Sequence, residues 1–457
     1  METESKSNSK FKIPLISKLK NTVFLKWLFI VIAIFLIGVL SDHFYFKQTL
    51  NNITKQQQDK HVVFLFEVYD KIKENYWDNI TDQQLIELYR LGTEKLTGFP
   101  QRLESSNKEQ LKNMITKAMK NMNDRKKKEF TVNLANVVLA NLNPYGRSGL
   151  YTQKDEENLK NKVNNIDPTA DLYKDLGVGK EATSGEIKKT YETQSQKLNE
   201  VAKDKTQPEE KRQEAQTQIT QINKAYETLA VPDRKENYDK TGTQSTANVK
   251  LIGSNIFYVK IKELSPATFN EFQSSLETIK DKPADLDTLI IDLRGNIGGA
   301  IDLTPYFIGA FIGNNQYAFD FFHKGEYNPF KTQIGMLPTL SRFKKIVVLI
   351  DNQTQSSAEI MAATFKKYHL AVVVGTTSKG WGTVERVFAL DNQIDPKEKY
   401  SMFLVHSLTL REDNQPIEGK GVDPNVNTKD LDWKKQFNSY LNYPQLADSV
   451  EGILSGK

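Results

Sequence analysis

The chain contains no cysteine. That absence excludes disulfide scaffolds, thiol nucleophiles, iron–sulfur clusters and cysteine-ligated zinc together. Histidine is scarce: the five are His43, His61, His323, His369 and His406, and no two stand four apart on one helix face. A HExxH-type zinc site is therefore absent. An excess of one charge is lacking too. The 62 basic and 57 acidic residues leave a net +5 over 457 residues, without the strong basic stripe of a dedicated nucleic-acid binder. There is no internal repeat and no long low-complexity tract. Aromatics at 10% and charged residues at 26% mark a chain that mostly folds, with length for two to four domains at about 150 residues each.

Only one long apolar run exists. Trp27–Leu40 is uninterrupted, and extension back to Val23 adds a single break at Lys26. A membrane span takes about 20 residues, and a terminal lysine can snorkel. A cleaved signal peptide is the rival reading, but no small-x-small site follows in the GVLSDHFYF exit. Lys6, Lys10, Lys12, Lys18, Lys20 and Lys26 precede the run and Lys47 follows it. The positive-inside rule then expects a cytoplasmic tail at 1–22, a transmembrane helix at 23–40 and an extracytoplasmic remainder.

Residues 41–170 read as a helical arm: Leu65, Tyr69, Ile72 and Tyr76 recur at helical spacing, and a second helical stretch spans roughly 108–142 before Asn143-Pro144-Tyr145-Gly146 breaks it. Residues 171–241 form a compact helical block, and TGTQSTAN (241–248) reads as a linker. From residue 250, Val- and Ile-rich runs (IFYVKI, TLIIDLR, KIVVLID, AVVVG) alternate with helices near 267–280 and 357–368, the pattern of an α/β sheet domain. Residues 429–457 read as a helical tail. The fold class is α+β and multidomain: a transmembrane helix, a helical arm, a helical block and an α/β core.

The helical block opens with Asp171-Leu172-Tyr173-Lys174-Asp175-Leu176-Gly177-Val178 and closes with AYETLAVPDRKENYD (225–239). It resembles the J-domain of Hsp70 co-chaperones. The His-Pro-Asp loop that engages Hsp70 in that family is missing, and Asn199, Glu200 and Val201 stand at its positions. The resemblance therefore implies a spacer or protein-binding module, not an Hsp70 partner.

Four stretches within 250–428 carry a second resemblance. They are IDLRGNIGG (291–299), VLIDNQTQSSAEI (348–360), GTTSKGWGTVERVF (375–388) and PIEGKGVDP (416–424). Together they resemble the S41 serine peptidases, the C-terminal processing or tail-specific proteases. The J-like block stands where most members carry a PDZ domain. The resemblance implies a polypeptide substrate, no cofactor and no metal, and it places the nucleophile at Ser356, at a helix start.

A serine hydroxyl is a weak nucleophile unless a base and an oxyanion hole accompany it. The resemblance implies a hole built from the N–H groups of Gly298 and Ser357, and the plain alternative for both serines is helix capping. It puts the lysine base at Trp381 and the assisting glutamine at Glu385. Indole cannot accept a proton. Two substitutes stay open. On an extended segment Lys379 shares a face with Trp381 about 6.5 Å away, and an ionised Glu385 could itself serve as base. His369 ends the helix after Ser356 and lies too far along it, and His406 reads as a packing or surface residue. The expectation is a membrane-anchored, extracytoplasmic serine-type peptidase of a bacterial envelope, impaired at Trp381. The alternative is a pseudo-peptidase that serves as a peptide-binding or assembly scaffold.

Overall fold

The computed structural model describes residues 59–455. The tail at 1–22 and the apolar run at 23–40 lie outside them; among the described residues, no helix is long and apolar enough to cross a membrane. The arm comprises α1 (Lys60–Asn75), α2 (Asp82–Thr97), α3 (Lys108–Met119) and α4 (Asp124–Ala140). The stretch read as one helix at 108–142 is thus two, because Asn123 caps α4 by accepting from Lys126 N. Leu65, Tyr69, Ile72 and Tyr76 are all buried, as their shared face requires.

The arm is not wholly helical. Strand β1 (Gly149–Thr152) leads into α5 (Gln153–Val163) and pairs antiparallel with β10 (Tyr400–Thr409), which also pairs with β5 (Tyr317–His323) and β9 (Thr383–Ala389). Tyr151 stacks on Phe403 across β1 and β10 with ring centroids 4.5 Å apart. With β6 (Glu326–Lys331) on the far side of β5, these strands make a five-stranded sheet.

The helical block consists of α6 (Leu172–Leu176), α7 (Ser184–Lys203), α8 (Glu209–Leu229) and α9 (Pro232–Thr241) around Leu172, Tyr173, Leu176, Ile187, Ile222, Ala225 and Leu229. Helix α7 runs through Asn199, Glu200 and Val201 and ends only at Lys203, with Asp204 as its C-cap. These three positions are helical and not a loop, since Glu200 stands where a proline would break the helix.

The expected linker is also different. Gln244, Ser245 and Thr246 are buried, and β2 (Ala247–Ile252) pairs with β3 (Ile256–Ile261). Small polar residues suit this position because Glu271, on α10 (Thr268–Glu277), accepts from Thr246 N, Ala247 N and Ser245 Oγ at 3.2, 3.1 and 2.8 Å. Arg234 of the helical block meets the same carboxylate at 3.4 Å. One half-buried glutamate thereby ties the block to the core.

The second sheet has six strands in the order β11-β8-β7-β4-β3-β2, with β4 at Thr288–Asp292, β7 at Lys345–Ile350, β8 at Val372–Gly375 and β11 at Val426–Asn427. All neighbours are parallel except β2 and β3. Successive side chains go to opposite faces. Phe257, Val259, Leu289, Ile291, Val348 and Ile350 pack with α10, α11 (Thr304–Ile312) and α12 (Ser357–Lys367). Tyr258, Ile290, Val347 and Leu349 pack with α13 (Trp433–Leu441) and α14 (Pro444–Leu454). Both faces are covered, which is why these strands read as continuous apolar runs.

Candidate active site

The site forms where β4 and β7 end. Asp292, fully buried at the end of β4, accepts from Tyr258 Oη at 2.7 Å and from Arg294 Nη2 at 2.7 Å. Burial pushes its pKa up, but the Arg294 bonds and the nearby Lys260 ammonium outweigh burial and hold it low. The turn that follows is fixed by Asn296, also fully buried. Its Nδ2 donates to Ile261 O at 3.0 Å, and its Oδ1 accepts from Gly298 N at 2.8 Å. Its carbonyl accepts from Gln355 N at 2.9 Å. Thr354 Oγ1 donates to Leu293 O at 2.9 Å, so the turns after β4 and β7 are bonded to each other.

Ser356 sits at the mouth of α12 with φ 57° and ψ −129°. A non-glycine residue there stores about 1–3 kcal/mol of strain, which surrounding bonds must hold. Gly298 lies directly against it: a Cβ at Gly298 would stand 2.7 Å from Ser356 Cβ and 3.2 Å from its Oγ. Ser357 is fully buried, and its hydroxyl faces Gly299 O at 3.4 Å. The expected oxyanion pair is therefore unequal. Gly298 N is engaged by Asn296 Oδ1, whereas no hydrogen bond of Ser357 N is found among the described residues.

Glu359, one turn into α12 and fully buried, organises the rest. Oε2 accepts from Ser356 N and Trp381 N, each at 2.8 Å. Oε1 accepts from Gly380 N at 2.7 Å and Ser378 Oγ at 2.5 Å. Burial raises its pKa while these four donors oppose the rise. Sequence reasoning missed Glu359 because a glutamate in the first turn of a helix is ordinary there.

The loop bearing Trp381 is not extended. Gly380 has φ 80°, and β9 starts only at Thr383. Lys379 and Trp381 therefore do not share a strand face. The Lys379 side chain is exposed while its N–H donates to Thr354 O at 2.8 Å. Trp381 is half-buried, with the Arg147 guanidinium 3.3 Å from its ring centroid. Arg147 also pairs with Glu418 at 3.0 Å, and Glu418 Oε2 accepts from Gly382 N at 2.8 Å. Glu385 accepts from Thr383 Oγ1 at 2.6 Å. Burial raises its pKa, against the pull of Thr383, the Trp381 indole and Arg147. No hydrogen bond among the described residues joins Ser356 Oγ to a basic side chain. His406 stacks on His323 with centroids 4.4 Å apart. Burial first, then the charges of Arg386, His323 and Lys324, lower its pKa to about 4. His369 follows the end of α12 with φ 51°.

The arrangement thus offers a strained serine at a helix start, glycines that leave room beside it, and a cation–π stack at the edge of the site. The peptidase family S41 model matches residues 255–428. Residues 255–428 are an S41 domain. The DnaJ domain model matches residues 171–239. Carboxy-terminal processing protease CtpA of Bacillus subtilis is 28% identical over 183 residues, 40% of this chain and 37% of its own length. CtpB of the same organism is 26% identical over 199 residues, 44% of this chain and 39% of its own length. Chaperone protein DnaJ of Thermoplasma acidophilum is 42% identical over 76 residues, 16% of this chain and 19% of its own length. The chain spans about two fifths of the length of the proteases it matches. The S41 domain holds every residue of the site described above except Arg147, which the arm contributes.

Proposed function

We propose that the S41 domain takes an extended polypeptide into the cleft beside Ser356 and that hydrolysis there is impaired. The observation that carries this reading is Trp381. It stands where the resemblance puts the lysine base, under the Arg147 guanidinium at 3.3 Å. Removing one member of a catalytic set lowers the rate by about 10³–10⁶. Ser356 is the nucleophile position, and Gly298 and Ser357 are the oxyanion positions. The basic tail and the apolar run at 23–40 support a single-pass anchor with the bulk outside a bacterial cytoplasm. The DnaJ domain, without His-Pro-Asp, acts as a spacer or protein-binding module.

A second reading is a pseudo-peptidase that holds a peptide by strand addition without cleaving it. The bond between Gly298 N and Asn296 Oδ1 favours it, because that donor is already satisfied. Casein hydrolysis by the full-length chain, run beside Ser356→Ala, tests the first reading. Slow turnover that disappears in Ser356→Ala supports an impaired peptidase. Turnover at ordinary enzyme rates, several per second or more, refutes impairment. Casein binding with no turnover in either chain supports the scaffold.

A further inference from the structure

Beside the nucleophile turn lies a pocket of about 330 Å³, walled by Ile297, the residue before Gly298, and by Glu263. Glu263 immediately precedes Leu264, whose N–H donates to Gly298 O at 2.9 Å and whose carbonyl accepts from Ala300 N at 2.6 Å. The pocket is thus held in register with Ser356 through backbone bonds. The Glu263 side chain is half-buried, and its carboxylate has no hydrogen bond or ion pair among the described residues. A desolvated carboxyl without a partner is costly, and a cation recovers that cost. Asn158 and Asn161 also line the pocket, and their side-chain amides make no hydrogen bonds of their own among the described residues and can accept from a donor. The volume suits one long side chain and is too small for a folded partner.

We propose that this pocket is the subsite for a lysine or arginine side chain of the polypeptide bound at Ser356, with Glu263 as its selecting carboxylate, an inference that rests on the polypeptide-binding reading above. Burial raises the Glu263 pKa to about 7, and Lys162 on α5 and Lys224 on α8 act against the rise. The other acid at the rim, Asp167, is spent on Thr169, whose N–H and hydroxyl it accepts at 3.0 and 2.7 Å. Lys162 is exposed and free to turn towards water. Glu263 therefore gains its charge as pH rises through neutrality. Its ionised fraction grows about tenfold from about pH 6 to about pH 8.

The test titrates the full-length chain with short labelled peptides in which one lysine is moved along a neutral sequence, against the same peptides with glutamine. At about pH 8 the best-placed lysine peptide should bind roughly tenfold tighter than its glutamine twin, and the preference should shrink to little at about pH 6. Glu263→Gln should remove the preference for lysine over glutamine. Nα-acetyl-lysine methylamide, followed by saturation-transfer NMR, reads the pocket without the rest of the cleft. If no peptide binds but this probe binds the parent and not Glu263→Gln, the subsite stands and the polypeptide reading falls. Peptides that bind without a cation preference overturn the proposal, as does a preference that survives in Glu263→Gln. Failure of both peptides and probe to bind overturns it as well.

Discussion

Replacement of Glu359 should unfasten the site more than any other single change. Its carboxylate takes three backbone N–H groups, from Ser356, Gly380 and Trp381, and the Ser378 hydroxyl. Ser378 Oγ in turn accepts from Val422 N at 2.7 Å, so the chain of bonds continues into the closing loop of the domain. Glu359→Ala leaves three N–H groups, one buried and two part-buried, without an acceptor. Each orphaned donor costs about 1–3 kcal/mol, less where water enters the vacated space. A total of about 3–5 kcal/mol is expected, in line with the loss of one partner from a buried charged network. Glu359→Gln should cost nearly as much, because its NH₂ group faces donors and can accept from none. Urea unfolding of the full-length chain, followed by circular dichroism, gives both values. If both variants lose less than about 1 kcal/mol, Glu359 is not the fastening the geometry describes.

Gly298→Ala should destabilise the fold by about 1–3 kcal/mol in the same assay, since its Cβ would stand 2.7 Å from Ser356 Cβ at φ 90°. Arg147→Ala should raise acrylamide quenching of tryptophan fluorescence, and a Trp381→Phe background should abolish the difference; an unchanged quenching constant would contradict the stack. His406 is neutral in the fold, with its pKa at about 4 against an ordinary 6.5. The stability this gives is complete above about pH 6.5 and is lost as pH falls towards about 4, because only the unfolded chain takes up the proton readily. With a discount for its partial exposure the loss is about 1 kcal/mol, and His406→Gln should flatten the acid limb of a pH–stability curve.

The elements with strong periodicity were legible. Phe257, Val259 and Ile261 alternate with Ile256 and Tyr258 between the two buried faces of the parallel sheet, and this alternation of apolar runs with helices announced an α/β domain. Ser356, Gly298 and Trp381 are singled out through the resemblance to the S41 peptidases, and the structure brings the first two into contact. Strand β1 was missed because four residues, all half-buried, carry no period, and its pairing is with residues some 250 positions away. The buried linker was missed because its small polar residues mimic an exposed loop. Their partner is the Glu271 carboxylate, which no local pattern shows. Arg147 is invisible for the same reason: its contact with Trp381 is made only by the folded chain. Asn296 reads as an ordinary turn residue until Gly298 N and Ile261 O are seen on its amide.

Casein hydrolysis by full-length Trp381→Lys, beside the parent and the double variant Trp381→Lys/Ser356→Ala, bears most directly on the claim that the indole is what impairs this site. A gain of about 10³-fold over the parent is expected, and it should vanish in the double variant. A Trp381→Lys chain that folds as the parent does and hydrolyses no faster would contradict the account.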